Sequence, residues 1–302
     1  MSAKAAISDG AAPTLELQQF ALRSAGADWA TPLSLRSVAP RVGLVGDWEP
    51  LFQLLTGSVE AASGSAKILG CELESAISRG ILGFAACDPP LPAAFTVAEY
   101  LRYAARLSHG SSGRAAHDAQ RALDRYGLAE LGNRKLSQLA LYQRRALGIA
   151  LSTLTAPAVV CLETPLRGLD APSAAYIERL CVEAAAHGRL VLSSDLPSSA
   201  SPERSLLDTC DELFLRKHGA LLAHGAPSSV FASGARYSLT VKGTGIAAFS
   251  QALREAGVVL EPSAQGGHFS VELPEGGSTD LLLDAALDHG LIVVELEPLL
   301  SV

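Results

Sequence analysis

The densest group of acidic residues lies near Cys210, where carboxylates would suit a cation. Asp208, Asp211 and Glu212 directly precede an apolar segment. Because polar residues before a strand are typical of a solvated turn, we interpret this group as a turn. The sequence also has no G-x-S-x-G motif, the turn that presents a nucleophilic serine in many hydrolases. These residues therefore give no evidence of metal or hydrolase chemistry.

Histidine and cysteine spacing gives no metal signature either. His218 and His224 flank GALLAHG, a predicted hairpin, and are too isolated for a metal site. The cysteines are odd in number and no two have C-x-x-C spacing; they are Cys71, Cys87, Cys161, Cys181 and Cys210. We therefore expect neither a disulfide framework nor a zinc site. The unpaired cysteines fit a reducing compartment best.

The overall composition is that of a globular chain, and its charge argues against nucleic-acid binding except through a local basic patch. Lys and Arg number 24 against 31 Asp and Glu, a net charge of −7, whereas nucleic-acid binders usually carry a basic face. The 302 residues predict about two domains. The longest apolar stretch, residues 146–162, is broken by Pro157 and is a poor membrane span. We expect a soluble chain, or one that reaches a membrane through a partner.

The elements that would position any site alternate between strand and helix up to about residue 230. Residues 1–13 are small and polar and predict a flexible tail. Apolar runs predict buried strands at 41–46, 158–162 and 190–192. Amphipathic spacing predicts helices at 97–107, 115–126, 144–155 and 174–186. Strand, crossover helix and strand form the βαβ unit, so this part predicts a parallel α/β domain.

The pattern changes near residues 228–235, where the small residues SSVFASGA predict a flexible domain boundary. Beyond it the predicted order is β-α-β-β-α-β, at 237–241, 246–256, 258–260, 269–273, 279–288 and 291–296. Gly266, Gly267 and His268 predict a turn between two of these strands. This order is that of a ferredoxin-like α+β domain, expected over residues 235–302.

An ordered set of landmarks runs along the chain. They are GLVG (43–46), LFQLLTG (51–57), SGSAKILG (63–70), ILGFAACDPPL (81–91), FTVAEYLRYAARL (95–107), LALYQRRALGIAL (139–151), AVVCLETPLRGLD (158–170), GRLVLSSDL (188–196) and CDELFLRKHGALLAHGAP (210–227). In order and spacing the chain resembles the ATP-binding subunit of ABC transporters, in the exporter branch with a small C-terminal domain. The resemblance implies an ABC-type, P-loop-like nucleotide-binding domain over residues 14–230, with a helical subdomain at about 95–155.

The phosphate-binding position departs from that family. Members bind phosphate with G-x-x-x-x-G-K-[ST], whose glycines, lysine and hydroxyl each contact phosphate or Mg²⁺. Here Gly46 is followed by Asp47, Trp48, Glu49 and Pro50. The carboxylates of Asp47 and Glu49 stand where the family has a cation. Repulsion between a carboxylate and a phosphate at about 4 Å costs on the order of 1 to several kcal/mol. We interpret the segment as a helix start capped by Asp47, with a new phosphate grip as the alternative.

The other nucleotide-facing positions depart in the same way. The adenine-stacking aromatic residue aligns with Ser24, and the glutamine that joins the helical subdomain aligns with Cys87. The signature LSGGQ reads LALYQ at 139–143, so Ala140 replaces its serine, Leu141 and Tyr142 replace its glycines, and Gln143 is kept. The metal-supporting aspartate aligns with Glu163.

The remaining alignments concern the base, the sensor and the dimer contact. The general-base glutamate aligns with Thr164, which has no accessible basic form near pH 7. The histidine that senses phosphate aligns with Ser194 or Asp195. The loop that lies at the family's dimer interface is intact, as Gly168, Leu169 and Asp170. Losing the lysine, hydroxyl, base and sensor together leaves little to accelerate phosphoryl transfer.

The resemblance and these losses together imply a degenerate subunit, a pseudo-ATPase, with no catalytic residue and no cofactor. Its implied partners are a membrane permease and an active paralogous ATPase, paired as a heterodimer. Its implied location is cytoplasmic, peripheral on the inner face of the membrane through those partners.

Two other hypotheses remain open. In one, the chain is a functional ATP-binding subunit in which Glu163 holds Mg²⁺ and Arg41, Arg144 or Arg145 replaces the lysine. A site filled by Trp48 and Leu51 would count against it. In the other, residues 235–302 regulate the partner.

Overall fold

The computed structural model describes residues 12–23, 29–109, 112–198, 201–231, 236–262, 267–274 and 277–298. The strands are β1 (Leu15–Arg23), β2 (Leu33–Ser37), β3 (Arg41–Gly46), β4 (Glu60–Ile68), β5 (Cys71–Glu72), β6 (Leu82–Ala85), β7 (Val159–Leu162), β8 (Arg189–Ser194), β9 (Glu212–Lys217), β10 (Ala220–Gly225), β11 (Arg236–Lys242), β12 (Val259–Pro262), β13 (His268–Glu272) and β14 (Ile292–Pro298). The helices are α1 (Glu49–Leu55), α2 (Leu73–Ser78), α3 (Val97–His109), α4 (Ser112–Arg125), α5 (Leu141–Ser152), α6 (Ala171–Ala184), α7 (Pro202–Asp208), α8 (Pro227–Phe231), α9 (Ile246–Glu255) and α10 (Asp280–Asp288).

A six-stranded sheet in the order β10-β9-β3-β8-β7-β6 forms the centre of the first domain. Its strands are parallel except for β10, which pairs antiparallel with β9. Side chains alternate between two cores: Val42 and Leu44 pack on one side of β3, and Val45 packs on the other. Burial on both faces explains the continuous apolar runs of these strands. The predicted strand at 41–46 is confirmed with the same bounds.

A second, antiparallel sheet in the order β2-β1-β4-β5 covers one face of the central sheet. The two sheets enclose a core to which Phe20, Trp29, Trp48 and Phe52 contribute. The sequence did not predict this sheet, because most of β4 is small and exposed and shows no apolar alternation.

Helices α3 to α6 cover the other face of the central sheet. The predicted helices at 97–107 and 115–126 are confirmed as α3 and α4, within a few residues. The prediction of 144–155 was shifted, since α5 begins at Leu141 and ends at Ser152. None of the helices in the described ranges is long and apolar enough to cross a membrane.

The C-terminal residues form a separate four-stranded antiparallel sheet in the order β12-β13-β11-β14. Helices α9 and α10 pack on one face of it around Phe249, Leu253 and Leu282. The elements follow in the predicted order β-α-β-β-α-β. Upstream, residues 228–231 were predicted to be flexible but belong to α8, and Val230 and Phe231 are buried in the first domain.

Candidate functional site

The carboxyl ends of β3, β7 and β8 meet at one edge of the central sheet, the usual ligand edge of an open α/β sheet. Residues 46–49 run from the last residue of β3 to the first residue of α1 at this edge, and we call them the strap. The strap lies against β9, because Asp47 donates its backbone N–H to the Arg216 carbonyl at 3.0 Å. Arg216 in turn donates from Nη1 to the Asp47 carbonyl at 2.7 Å.

Gly46 has a structural role at this point. Its φ is +91°, and a Cβ built on it would lie 2.2 Å from the carbonyl oxygen of Arg216. Only glycine tolerates both the positive φ and so close a backbone. In this fold Gly46 therefore brings the strap and β9 together.

Trp48 fills the space beneath the strap. Its side chain is 0% exposed, and its indole N–H lies 3.1 Å from the carbonyl oxygens of both Val45 and Phe214. The ring packs against Trp29 at a centroid distance of 5.9 Å, and the Arg216 guanidinium lies 4.0 Å from the Trp29 ring centroid. Leu51, one turn into α1, is also buried. The side chains of Trp48, Leu51 and Arg216 therefore fill the space next to the strap, where the family's loop would bind phosphate.

The expected cap of α1 by Asp47 is wrong. The N-cap residue is Trp48, and no side chain caps the helix, although Pro50 does lie in the first turn. The Asp47 carboxylate instead accepts the backbone N–H of His218 at 2.8 Å. A residue 171 positions away in the chain competes successfully for this carboxylate, and sequence spacing does not reveal such a partner.

The structure brings together Cys87 and Glu163. The backbone N–H of Cys87 donates to Oε2 of Glu163 at 2.9 Å. Burial raises the pKa of the Glu163 carboxyl, and the Cys87 hydrogen bond opposes that shift. The carboxylate thus joins the ends of β6 and β7.

Thr164 and Asp195 also have structural partners. Thr164 is buried with a φ of +35°, and its backbone N–H donates to the Ser193 hydroxyl at 3.0 Å. Asp195 forms a bidentate pair with Arg167, at 2.7 and 2.5 Å. This pairing raises the pKa of Arg167. Ser194 is the last residue of β8 and is buried, so Asp195 is the group that faces outward after that strand.

The signature segment starts helix α5. Ala140 is the N-cap residue, and its N–H donates to the side-chain oxygen of Gln143 at 3.0 Å. Gln143 also donates to the Tyr142 hydroxyl at 3.2 Å. Gln143 therefore stabilises the first turn of the helix on which it lies.

The three arginines suggested as lysine replacements have other contacts. Arg41 is at the first position of β3, at the far end from the strap, and its Nη1 contacts the Thr209 carbonyl at 3.4 Å. Arg144 pairs with Asp88 at 3.7 Å. Arg145 is buried and donates to the Arg167 carbonyl at 3.3 Å. For Arg41 the suggestion is wrong on position alone, because six strand residues span about 20 Å.

The loop at 168–170 turns from β7 into α6. Gly168 has a φ of +75°, and the Asp170 carboxylate accepts the Ser173 N–H at 2.9 Å as the N-cap of α6. Hydrogen bonds from the Ser173 side chain and from its backbone N–H lower the pKa of Asp170. Leu169 packs against the first-domain core. Ser24, the other aligned position, lies outside the described residues.

Small cavities line this edge. One of ≈ 10 Å³ lies between Thr164, Arg167 and Asp195, and another of ≈ 10 Å³ lies between Arg145, Glu163 and their neighbours. Each is about the size that holds one water molecule, whereas small-molecule sites span roughly 300–1,000 Å³.

His218, which we expected to be isolated, lies next to another histidine. The turn between β9 and β10 brings His218 to the C-terminal sheet, where its ring lies 4.9 Å from that of His268. His224 stacks on Phe214 at 5.9 Å. Within the described residues, no group of three or more His, Cys, Asp or Glu side chains has a metal-binding arrangement.

Comparison with known proteins gives one consistent class. No family model matches the chain. The human phospholipid-transporting ATPase ABCA7 is 28% identical over 235 residues, which is 75% of this chain and 11% of that protein. An uncharacterized ABC transporter ATP-binding protein of Bacillus subtilis, YxlF, is 24% identical over 56% of this chain and 55% of its own length. Rat ATP-binding cassette sub-family G member 5 is 28% identical over 58% of this chain and 27% of its length.

Solved structures agree on the fold. The chain matches cbiO1 of Clostridium perfringens, part of the ABC transporter complex cbiONQ, with a TM-score of 0.59 and 20% identity over 73% of this chain and 91% of that one. It also matches a structure described as the ATP-binding subunit of an ABC transporter, with a TM-score of 0.60 and 18% identity over 72% of this chain and 92% of that one. The fold is that of an ABC transporter ATP-binding domain, and the sequence is similar to parts of ABC transporter proteins. The chain spans from about a tenth to about half of the three curated relatives named above.

Proposed function

We propose that this chain is a degenerate ABC transporter ATP-binding subunit, a pseudo-ATPase that acts as a structural and regulatory partner. The observation that carries the proposal is the strap. Phosphate-binding loops leave their backbone N–H groups open to the ligand, but the Asp47 N–H and carbonyl are both bonded to Arg216. Trp48, buried beneath the strap, resists opening of that space.

The carboxylates near the strap also argue against a bound Mg²⁺ nucleotide, because each already has a partner within the chain. The Glu163 carboxylate already accepts the Cys87 N–H, and its raised pKa reflects an environment unfavourable to charge. Asp195 is paired with Arg167. Thr164, at the base position, has no accessible basic form near pH 7 with which to take a proton from an attacking water. We therefore assign no catalytic residue and no cofactor.

The proposed partners are a membrane permease and an active paralogous ATPase. ABC subunits build each composite site from one chain's phosphate loop and the other's signature, and this chain departs from the family at both. A homodimer would have no working ATP site. We therefore propose a heterodimer with an active paralogous ATPase. The intact loop at 168–170 supports a retained dimer contact. The location would be the inner face of the cytoplasmic membrane, reached through these partners.

The C-terminal residues would form a ferredoxin-like domain with a regulatory role. Its support is the element order β-α-β-β-α-β and the strand order β12-β13-β11-β14. Such a fold serves many functions, so the regulatory role depends on the contacts described in the next subsection.

The test is calorimetric titration of the purified full chain with Mg²⁺-ATP, extended to millimolar nucleotide. We expect no saturable heat, because the strap and its partners exclude the triphosphate. An ABC transporter subunit that carries the complete G-x-x-x-x-G-K-[ST] motif, run in the same buffer, verifies that the assay detects binding. Submicromolar affinity, or ATP turnover by the chain alone, would overturn the proposal and favour an unconventional nucleotide grip.

A further inference from the structure

The C-terminal sheet contacts the first domain through charged and polar side chains. Lys217, at the end of β9, is 8% exposed and forms ion pairs with Glu295, at 3.8 Å, and with Glu297. The Lys217 hydrogen bond lowers the pKa of Glu297. The next residue, His218, places Nε2 3.7 Å from the Glu295 carboxylate and its ring against His268.

The sheet side of this contact is well ordered by hydrogen bonds. Ser238 and Thr240 project from β11 on the face opposite to α9 and α10, yet they are 2% and 5% exposed. The Thr240 hydroxyl donates to Glu295 at 3.3 Å and lies 2.9 Å from Nδ1 of His268. Glu295 is thereby held in position for Lys217.

The same short segment holds the strap. Arg216 bonds both the N–H and the carbonyl of Asp47, and the His218 N–H donates to the Asp47 carboxylate. Residues 216–218 therefore contact the strap with one set of groups and the C-terminal sheet with another.

The turn geometry links the two sets rigidly. His218 and Gly219 both have positive φ, +47° and +79°, and form the two-residue loop between β9 and β10. Such paired left-handed residues are typical of tight hairpin turns. The two-residue hairpin itself requires the positive φ of His218, which fixes the direction in which this residue leaves β9.

We propose that the β9–β10 turn is a latch that couples the C-terminal domain to the strap, so that displacing that domain loosens the strap. The coupling is a property of the chain without nucleotide and does not depend on the proposed loss of ATPase activity. A partner or ligand that displaces the C-terminal domain would thereby loosen the strap at the edge of the central sheet. Coupling of this kind is reciprocal, since loosening the strap must also loosen the C-terminal contact.

The experiment uses the full chain and amide hydrogen exchange. The variant Glu295→Gln/Glu297→Gln removes both carboxylates that face Lys217 with little change in shape. We expect the strap amides, and that of His218, to exchange about tenfold faster, the size expected when one charge-assisted contact is lost. The control Glu255→Gln/Glu261→Gln makes the same charge change on exposed positions of the same domain and should leave these amides unchanged.

The reciprocal variant keeps the proposal testable if the first one folds poorly. Asp47→Asn weakens the strap's hold on His218, and the amides of Thr240 and Glu295 should then exchange faster. Unchanged strap exchange in a folded double variant would overturn the latch, as would equal acceleration in the control. Unchanged exchange at Thr240 and Glu295 in Asp47→Asn would also overturn it. Because the experiment contains no ATP, its outcome is separate from the titration that tests the pseudo-ATPase proposal.

Discussion

Trp48 links the strap to the core through its indole N–H, which lies within hydrogen-bond distance of two backbone carbonyls. Trp48→Phe keeps most of the ring but removes the donor. We expect unfolding to become easier by about 1–3 kcal/mol, the usual cost when buried polar groups lose a partner. Urea denaturation followed by circular dichroism measures it. Leu107→Ala, at a side chain 72% exposed on α3, is the control and should change stability by no more than about 0.5 kcal/mol.

Glu163 predicts a pH dependence whose sign follows from its raised pKa. The pKa of its carboxyl in the folded chain is raised above the ordinary value of 4.5, chiefly because of burial. The folded state therefore binds the proton more tightly, and stability is lost as pH rises from about 4.5 through the folded pKa. Glu163→Gln keeps an acceptor for the Cys87 N–H and cannot ionise. Its stability relative to the native chain should rise between pH 4 and pH 7 in parallel urea titrations. A constant difference would show that burial of this charge is not costly.

At the scale of elements, the approach of β3 to β9 depends on Gly46. Gly46→Ala combines a disfavoured φ with a backbone oxygen at 2.2 Å, and should destabilise the chain by roughly 2–6 kcal/mol. The matched control is Gly57→Ala, where φ is +72° and nothing lies within 4 Å of the added carbon. There only the conformational strain remains, about 1–2 kcal/mol. Thermal unfolding of the two variants separates the steric effect from the strain, and equal losses would contradict the close approach.

The elements that the sequence predicts well are those whose own residues show a clear apolar pattern. Strand β3 is apolar from Val42 to Val45 because helices and a second sheet cover its two faces, and the prediction matched it. Strand β4 was missed because backbone pairing with β1, rather than apolar side chains, holds it. Asp47 was misread for a related reason: a cap is a local contact, but its actual partner comes from the β9–β10 turn. Likewise, nothing in the spacing of His218 and His268 indicates that they meet.

At the scale of the molecule, the described residues form three apolar cores. Two flank the central sheet, and the third belongs to the C-terminal sheet and its helices. The contacts traced above between the first and C-terminal domains are polar, through Lys217 and His218. An apolar core lost from one domain is not compensated by a polar contact with the other, so the domains should differ in their response to core substitutions.

The two tryptophans make that difference measurable. Trp29 and Trp48 both lie in the core between the two sheets of the first domain, so tryptophan fluorescence reports that domain alone. Phe249→Ala, in the C-terminal core, should cost that domain about 3–5 kcal/mol. We expect an early transition in far-ultraviolet circular dichroism while most of the fluorescence transition is retained. Phe52→Ala, in the core that holds the tryptophans, is the counterpart and should shift the fluorescence transition instead. If Phe249→Ala moved both signals together by the same amount, the two domains would unfold as one unit, and the polar contact at the β9–β10 turn would have to be far stronger than its ion pairs indicate.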